Sequence, residues 1–428
     1  MIDWRDAALI LSTLFLNLPF WLAHDFDLPL FDPVSVHGVI LGVAAQLIAT
    51  VFFMGPALAA QRARKPLAGL LEDSFGSIPA WGLRLCCVVF LVLWLGYSPL
   101  GLLWRFMPFV VHHIPSDMEE TAVTGAVGLF LFATSLQSLR TNAKLEVFTN
   151  KLAIAILIAA LLRVREGWPA VLNGLPIPGE RSGRLDAWHG FSLLVFGVAP
   201  LALFAATFGS RIGGRKQVVK TALSGVALPV FGSLLVAGII DAAALRSASY
   251  TPSLSPNIMM ALWSHSASGA RGGTMMLTVI ATFGAGRFGA RSLIEAVSIP
   301  GVGTAAKWAV LGCCLCFIAW IPTHYFPTLA TAFEASATCL TVAGAILTAD
   351  LITGRRQTAG ARKIDWVGLS ALAAGLAMPF YMPFLTSSEA PELWWHPWLL
   401  PSFGVGFVTC LVGGLLQKRM AKAVTIES

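Results

Sequence analysis

Asn17-Leu18-Pro19 and Gly197-Val198-Ala199-Pro200 each interrupt a stretch that is otherwise almost wholly apolar. Proline removes a backbone donor and clashes with the preceding helical turn, which frees carbonyl oxygens that hydrocarbon cannot satisfy. Such a break survives where protein, water or an ion supplies the missing partners. Glu334 is a second chemical signal: an acid well inside an apolar stretch is costly and defaults to a role in coupling or in neutralising a cation. Arg287 stands near the end of another stretch. Facing a cavity it would favour an anionic or carbonyl-rich ligand, because guanidinium makes planar paired bonds, but we expect a topological arginine there. Three weaker signals complete the set. Asp25-Phe26-Asp27 has the D-x-D form of lipid-linked glycosyltransferases, His112 with Asp117 has an acyltransferase-like spacing, and Cys313-Cys314-Leu315-Cys316 contains a C-x-x-C. Inside an apolar run that cysteine pattern reads as packing rather than as a metal or redox site.

The elements that must position these residues are membrane spans. The chain is 56% hydrophobic and only 12% charged over 428 residues. A hydrocarbon core about 30 Å thick takes roughly 20 apolar residues per helix. About twelve such stretches are present, at 7–23, 36–60, 79–104, 122–138, 145–162, 188–208, 221–240, 272–287, 303–322, 328–351, 366–385 and 398–416. We therefore expect an all-α polytopic membrane protein forming one membrane domain. The first stretch lacks a basic leader and a small-residue cleavage site and does not read as a signal peptide.

Basic residues cluster at every second junction, and this bias sets orientation. About 22 of the 29 lysines and arginines fall on one side if the amino terminus is cytoplasmic. Both termini are then inside, in a cytoplasmic (inner) membrane. The basic balance follows from this threading. It implies anionic lipid head groups rather than nucleic acid, because the charges are dispersed over separate loops. The eight histidines all fall on the opposite side, spread over many loops without ligand spacing, and read as interfacial. The two breaks lie in the first and sixth spans. That offset suits an inverted repeat with its site between the halves.

Three stretches resemble the purine/cytosine permease family, the nucleobase–cation symporters. Ser74-Phe75-Gly76-Ser77-Ile78-Pro79, followed by Arg84 and Trp94-Leu95-Gly96, is similar to the family's loop, arginine and span 3 turn. Ala205-Ala206-Thr207-Phe208-Gly209-Ser210-Arg211 is similar to its A-D-F-x-R ending of span 6, with Thr207 in place of the acid and one extra residue before Arg211. Gly344 to Leu351, with Arg355-Arg356 and Ile364-Asp365-Trp366, is similar to its close of span 10.

The resemblance implies a five-plus-five inverted repeat of the leucine-transporter type, with broken helices 1 and 6 and two appended C-terminal helices. The repeats would cover 1–163 and 188–351, and the appended pair 366–416. It also implies alternating-access import of a nucleobase-like heterocycle, driven by Na⁺ or H⁺ with no other cofactor. Trp94 would stack on the substrate ring, as aromatic faces do on planar bases. Asn17 and Ser98 would bond its polar edges, and Pro200 and Phe204 would complete the wall, with Arg287 at the position where relatives often place a substrate-contacting asparagine. A cation would sit between freed carbonyls near Asn17 and the face carrying Thr278, Ala281 and Thr282, since hard cations want oxygen ligands. Glu334, Arg211 and Asp350 are the coupling or gating candidates, the last two at the inner ends of spans 6 and 10. Partners would be a small molecule and the bilayer, and a monomer is expected. The competing readings are a transporter of the same fold for amino acids or other small solutes, and a membrane-embedded glycosyl- or acyltransferase.

Overall fold

The computed structural model describes residues 2–16, 36–101, 116–173, 199–246, 268–298, 303–321, 327–355, 363–386 and 399–427. Within these it is helical, and the one β contact is an isolated parallel bridge between Ile2 and Ile212. Asn17, and the D-x-D at 25–27, lie outside the described residues. So do the side chains of Thr278, Ala281 and Thr282.

The helices follow the predicted spans. α1 is Trp4–Leu16, α2 Val36–Ala63, α3 Leu67–Phe75, α4 Ser77–Tyr97, α5 Asp117–Ser135 and α6 Leu139–Arg163. A short α7, Trp168–Leu172, caps this half. Then come α8 Ala205–Gly209, α9 Arg215–Ala222, a π-helical turn Leu223–Ala227, and α10 Leu228–Arg246. α11 is Ser268–Val297, α12 Thr304–Trp320, α13 Pro327–Thr353, α14 Trp366–Thr386 and α15 Leu399–Glu427. Four of these, α4, α6, α13 and α15, are long and apolar enough over their described parts to cross a bilayer on that criterion alone. Large apolar side chains such as Leu85, Phe130, Phe148 and Trp308 are exposed on the outside of the bundle, as lipid-facing positions are.

Local sequence explains most boundaries. α5 starts earlier than its apolar run because Ser116 and Glu119 form a capping box: the Ser116 hydroxyl accepts from Glu119 N at 3.4 Å, and Ser116 N donates to Glu119 Oε2 at 2.8 Å. α3 and α4 meet at Gly76, with φ +85°, where a Cβ would lie 2.6 Å from the Lys363 carbonyl oxygen. Only glycine combines that dihedral with so close an approach. Pro56 lies inside α2 without ending it. The sixth span is interrupted within its described part: Ala199–Ala202 is helical, Leu203-Phe204 is a turn, and α8 follows. Hydrogen bonds there run three residues back, from Phe204 N to Leu201 O at 3.1 Å and from Thr207 N to Phe204 O at 3.1 Å.

In the core, α1 packs on α6 and on the π turn, α8 on α2, and α4 on α11 and α13. α11 packs in turn on α5 and α6, while α14 and α15 pack on α13. The basic junctions converge at one end of the bundle. Ile2 N donates to Arg211 O at 2.9 Å, and Arg64 Nη1 and Nη2 donate to Ile212 O and Gly213 O at 2.9 and 2.8 Å. Arg291 reaches Gln137 O at 3.3 Å, and Ile78 N donates to Lys363 O at 3.2 Å. We call this the basic end.

Candidate functional site

α1 ends its described course at Leu16, just before the predicted break, and its last turns are held by polar side chains from two neighbours. Asn150 of α6 donates to Leu9 O at 3.2 Å and to Ser12 Oγ at 2.7 Å, and it accepts from Thr13 Oγ1 at 2.6 Å. Ser233 of α10 donates to Phe15 O at 3.0 Å. A carbonyl in the last turn of α1 is thus served by a protein hydroxyl. Without such a partner it would be an unsatisfied group in an apolar core.

Trp94 on α4 is 2% exposed, and its ring lies against α11 at Gly289, where a Cβ would come 2.6 Å from Cζ3. Ser98 follows directly at the end of α4. It is fully buried, and its backbone N donates to Trp94 O at 2.9 Å. Phe204 and Pro200 are also buried, with Phe204 in the same apolar cluster as Trp94, Leu95 and Phe288. Phe288 stacks on Phe208 of α8 at a centroid distance of 6.1 Å. The structure therefore places Trp94 and Leu95 of α4 directly against α11, with Ser98 buried one turn on. The backbone of Thr278, Ala281 and Thr282 continues the same helix.

Arg287 is not the topological arginine expected from the sequence. It is 8% exposed, and its Nη2 donates to Glu146 Oε1 of α6 at 2.5 Å, with Thr149 Oγ1 at 3.4 Å. The Glu146 side chain is 2% exposed. Glu334 is accordingly not the single acid well inside a span: Glu146 is the more deeply buried of the two. Glu334 sits about two turns into α13 and is partly exposed, its backbone oxygen taking the Thr338 hydroxyl at 3.0 Å. Glu146 escaped the sequence reading because it is the second residue of its apolar run, where an acid reads as a helix end. The available signal was spacing: Glu146 and Asn150 lie four apart, on one face of an apolar helix. That face meets α1 closely. At Gly284 of α11 a Cβ would collide with Thr13 Cγ2 and lie 2.9 Å from Glu146 Oε2.

The remaining candidates sit at the basic end. Arg211 Nη2 meets Glu295 Oε1 of α11 at 3.1 Å, and Glu295 also lies 3.8 Å from Arg291 Nε. Around them an open cleft of about 800 Å³ is lined by Asp3, Asp6, Ser138, Arg140, Arg211 and Arg291, among others. Asp350 is buried and takes Arg355 Nε at 2.7 Å and Nη2 at 3.1 Å. Arg355 Nη1 reaches Asp365 at 2.6 Å, and Nη2 also reaches Ser74 O at 3.1 Å. Burial by itself opposes the charge on Arg355. Hydrogen bonding to Asp350 and the nearby acids outweigh it and hold the guanidinium above its usual pKa. One arginine thus joins two of the three motif stretches read from the sequence, the Ser74–Pro79 loop and the close of span 10. Asp350 is part of this lock. Arg84 is buried too, and it ties α4 to α3 through Glu72 at 2.5 Å.

No protein-family model matches the sequence, and no curated protein matches it significantly. Solved structures do. The chain is similar to Mhp1, a nucleobase-cation-symport-1 family transporter, in a closed conformation with bromovinylhydantoin bound. The TM-score is 0.72 at 15% identity, over 99% of this chain and 93% of the other. The inward-facing conformation of Mhp1 matches with a TM-score of 0.66 at 15% identity, over 99% and 92%. A mutant manganese transporter of Eremococcus coleocola matches with 0.56 at 12% identity, over 98% and 95%. These likenesses establish the fold: an all-α, multi-pass membrane bundle.

Proposed function

We propose that the chain is a secondary transporter of the nucleobase–cation symporter kind, importing a small, neutral, planar heterocycle by alternating access. The observation that carries this reading is the fold match along 99% of the chain to a transporter holding a hydantoin. Placement of Trp94 against α11 adds to it. Trp94 stacks on the ring, Ser98 and Asn17 bond its edges, and Pro200 and Phe204 close the wall. Arg287 has its charge already held by Glu146, which favours an uncharged substrate over an anion. The coupling ion is Na⁺ at the Asn17 carbonyls and the Thr278, Ala281 and Thr282 face, or H⁺. Glu334 and the Arg211–Glu295 link act as coupling and gating groups. The basic end faces the cytoplasm, which places both termini inside an inner membrane and makes uptake inward.

A thermal-shift screen of the purified protein against hydantoins, purines, pyrimidines and amino acids tests this reading. A ligand that binds the native state raises its apparent stability by mass action. A heterocycle that stabilises the protein but not Trp94→Ala supports the reading. Stabilisation by amino acids alone would keep the fold and replace the substrate class. Absence of any hit would overturn the heterocycle reading and reopen the transferase alternative.

A further inference from the structure

Glu146 and Arg287 are the two members of a buried ion pair whose bonding is incomplete. Glu146 Oε1 takes the guanidinium, but Oε2 is buried without a hydrogen-bond partner, as is Arg287 Nε. The Thr13 hydroxyl that approaches this carboxylate is shared with Leu9 O and Asn150 Oδ1. A carboxylate so incompletely served in a low-dielectric core is a position where a proton binds favourably.

The setting supplies a route. A pocket of about 10 Å³ adjoins the pair, with Asn142, Glu146, Arg287 and Arg291 on its polar side and Phe208 and Phe288 on its apolar side. That is close to the room one water needs. Arg291 also lines the open cleft at the basic end. Glu146 is therefore one side chain removed from the aqueous phase there. It also touches the elements that an alternating-access cycle moves against each other: α1 at Thr13 and α11 at Gly284.

We propose that Glu146 is the proton-binding group of this transporter, so that H⁺ rather than Na⁺ drives the cycle; this deepens the transporter reading above and rests on it. A proton bonds to Oε2 and neutralises the carboxylate. Neutralisation removes the charge attraction that holds Arg287 of α11 to α6, leaving the weaker 3.4 Å contact with Thr149 Oγ1 of α6. When the basic end opens, the proton leaves through the pocket beside Arg291 and the Glu146–Arg287 pair re-forms. Among the described residues, the charged groups facing Glu146 are Arg287 and, across the pocket, Arg291, with Glu295 beyond it. α1 contributes Ser12 and Thr13, α8 Thr207 and α5 Ser135, none of which titrates in the working range. Lys144 and Lys151 of α6 itself are exposed on other faces.

The test is infrared difference spectroscopy of the full chain in reconstituted membranes, stepping pH with no organic ligand present. The carboxylic-acid C=O band that appears as pH falls should include a component missing from Glu146→Gln and kept in Glu120→Gln, a variant of another buried acid. Glu146→Asp should retain that component at a shifted frequency, which guards against a Gln variant that fails to fold. Replacing choline by sodium should leave its midpoint unmoved. A band unchanged in both Glu146 variants, or no titrating buried carboxyl, would overturn the assignment. A midpoint displaced by sodium would show that the metal ion competes for the site and would overturn H⁺ as the driving ion. The measurement uses only protons and sodium, so a failed heterocycle screen and a failed proton assignment are separate results.

Discussion

The indole of Trp94 lies directly on the backbone of α11 at Gly289, so the proposed recognition surface on α4 and the helix that carries Arg287 are in contact through a missing side chain. A methyl group at 289 would meet Cζ3 of Trp94 at 2.6 Å and Cδ2 of Leu95 at 2.7 Å. Both are buried and rigidly packed, so neither can yield freely. We expect Gly289→Ala to cost about 1–3 kcal/mol by overpacking, measured as a fall in unfolding temperature. If the site is where we place it, ligand stabilisation in the screen above falls as well.

Arg355 is the centre of a lock, with Asp350 and Asp365 on either side and Ser74 O above. Removing it leaves two buried carboxylates facing each other. Breaking a buried pair in this way costs about 3–5 kcal/mol. Arg355→Met should therefore lower thermal stability severely, and Arg355→Lys should recover little, because an ammonium cannot reproduce the planar fork.

Arg211 and Glu295 make the opposite case. Their side chains are 41% and 26% exposed, and half-exposed pairs contribute about 0–1 kcal/mol. Glu295→Gln should leave the unfolding temperature nearly unchanged. As a gate residue its loss should instead speed labelling by an impermeant maleimide of a cysteine placed at Ser138 in the adjoining cleft.

Thr13 links α1 to α6 through a 2.6 Å hydrogen bond to Asn150. Thr13→Val keeps the shape and removes the donor, leaving Asn150 Oδ1 short of its partner in a buried place. The expected loss is about 1–3 kcal/mol, read by thermal unfolding, and Thr13→Ser should restore most of it.

Ser116 tests the purely local part of the fold. Its hydroxyl accepts from Glu119 N in the capping box that starts α5. Ser116→Ala should cost about 1 kcal/mol and leave ligand stabilisation untouched.

The all-α, membrane-spanning character, the order of the spans, the sorting of basic residues to one end and the motif residues were legible in the sequence, whereas the interruption of the sixth span falls at 203–204 rather than at Pro200. That legibility arises because hydrocarbon forces every backbone polar group into a helix, and twenty apolar residues in a row have few other fates. The sequence was less accurate about ends. Helices such as Val36–Ala63 and Ser268–Val297 run past their apolar runs, since hydropathy marks what the bilayer covers and not where the backbone stops winding. The interactions across the chain were decided only in three dimensions. Glu146 and Arg287 stand 141 residues apart, and each looked like an ordinary helix-end charge until α6 and α11 were packed face to face. Asp350, read from the sequence as a coupling or gating candidate, and Asp365, read as a motif residue, are joined by Arg355 and tied through it to the Ser74 loop. Burial depends on which face of a helix meets a neighbour, and that rotation is set by the close approaches at Gly284, Gly289 and Gly76 rather than by the composition of any one segment.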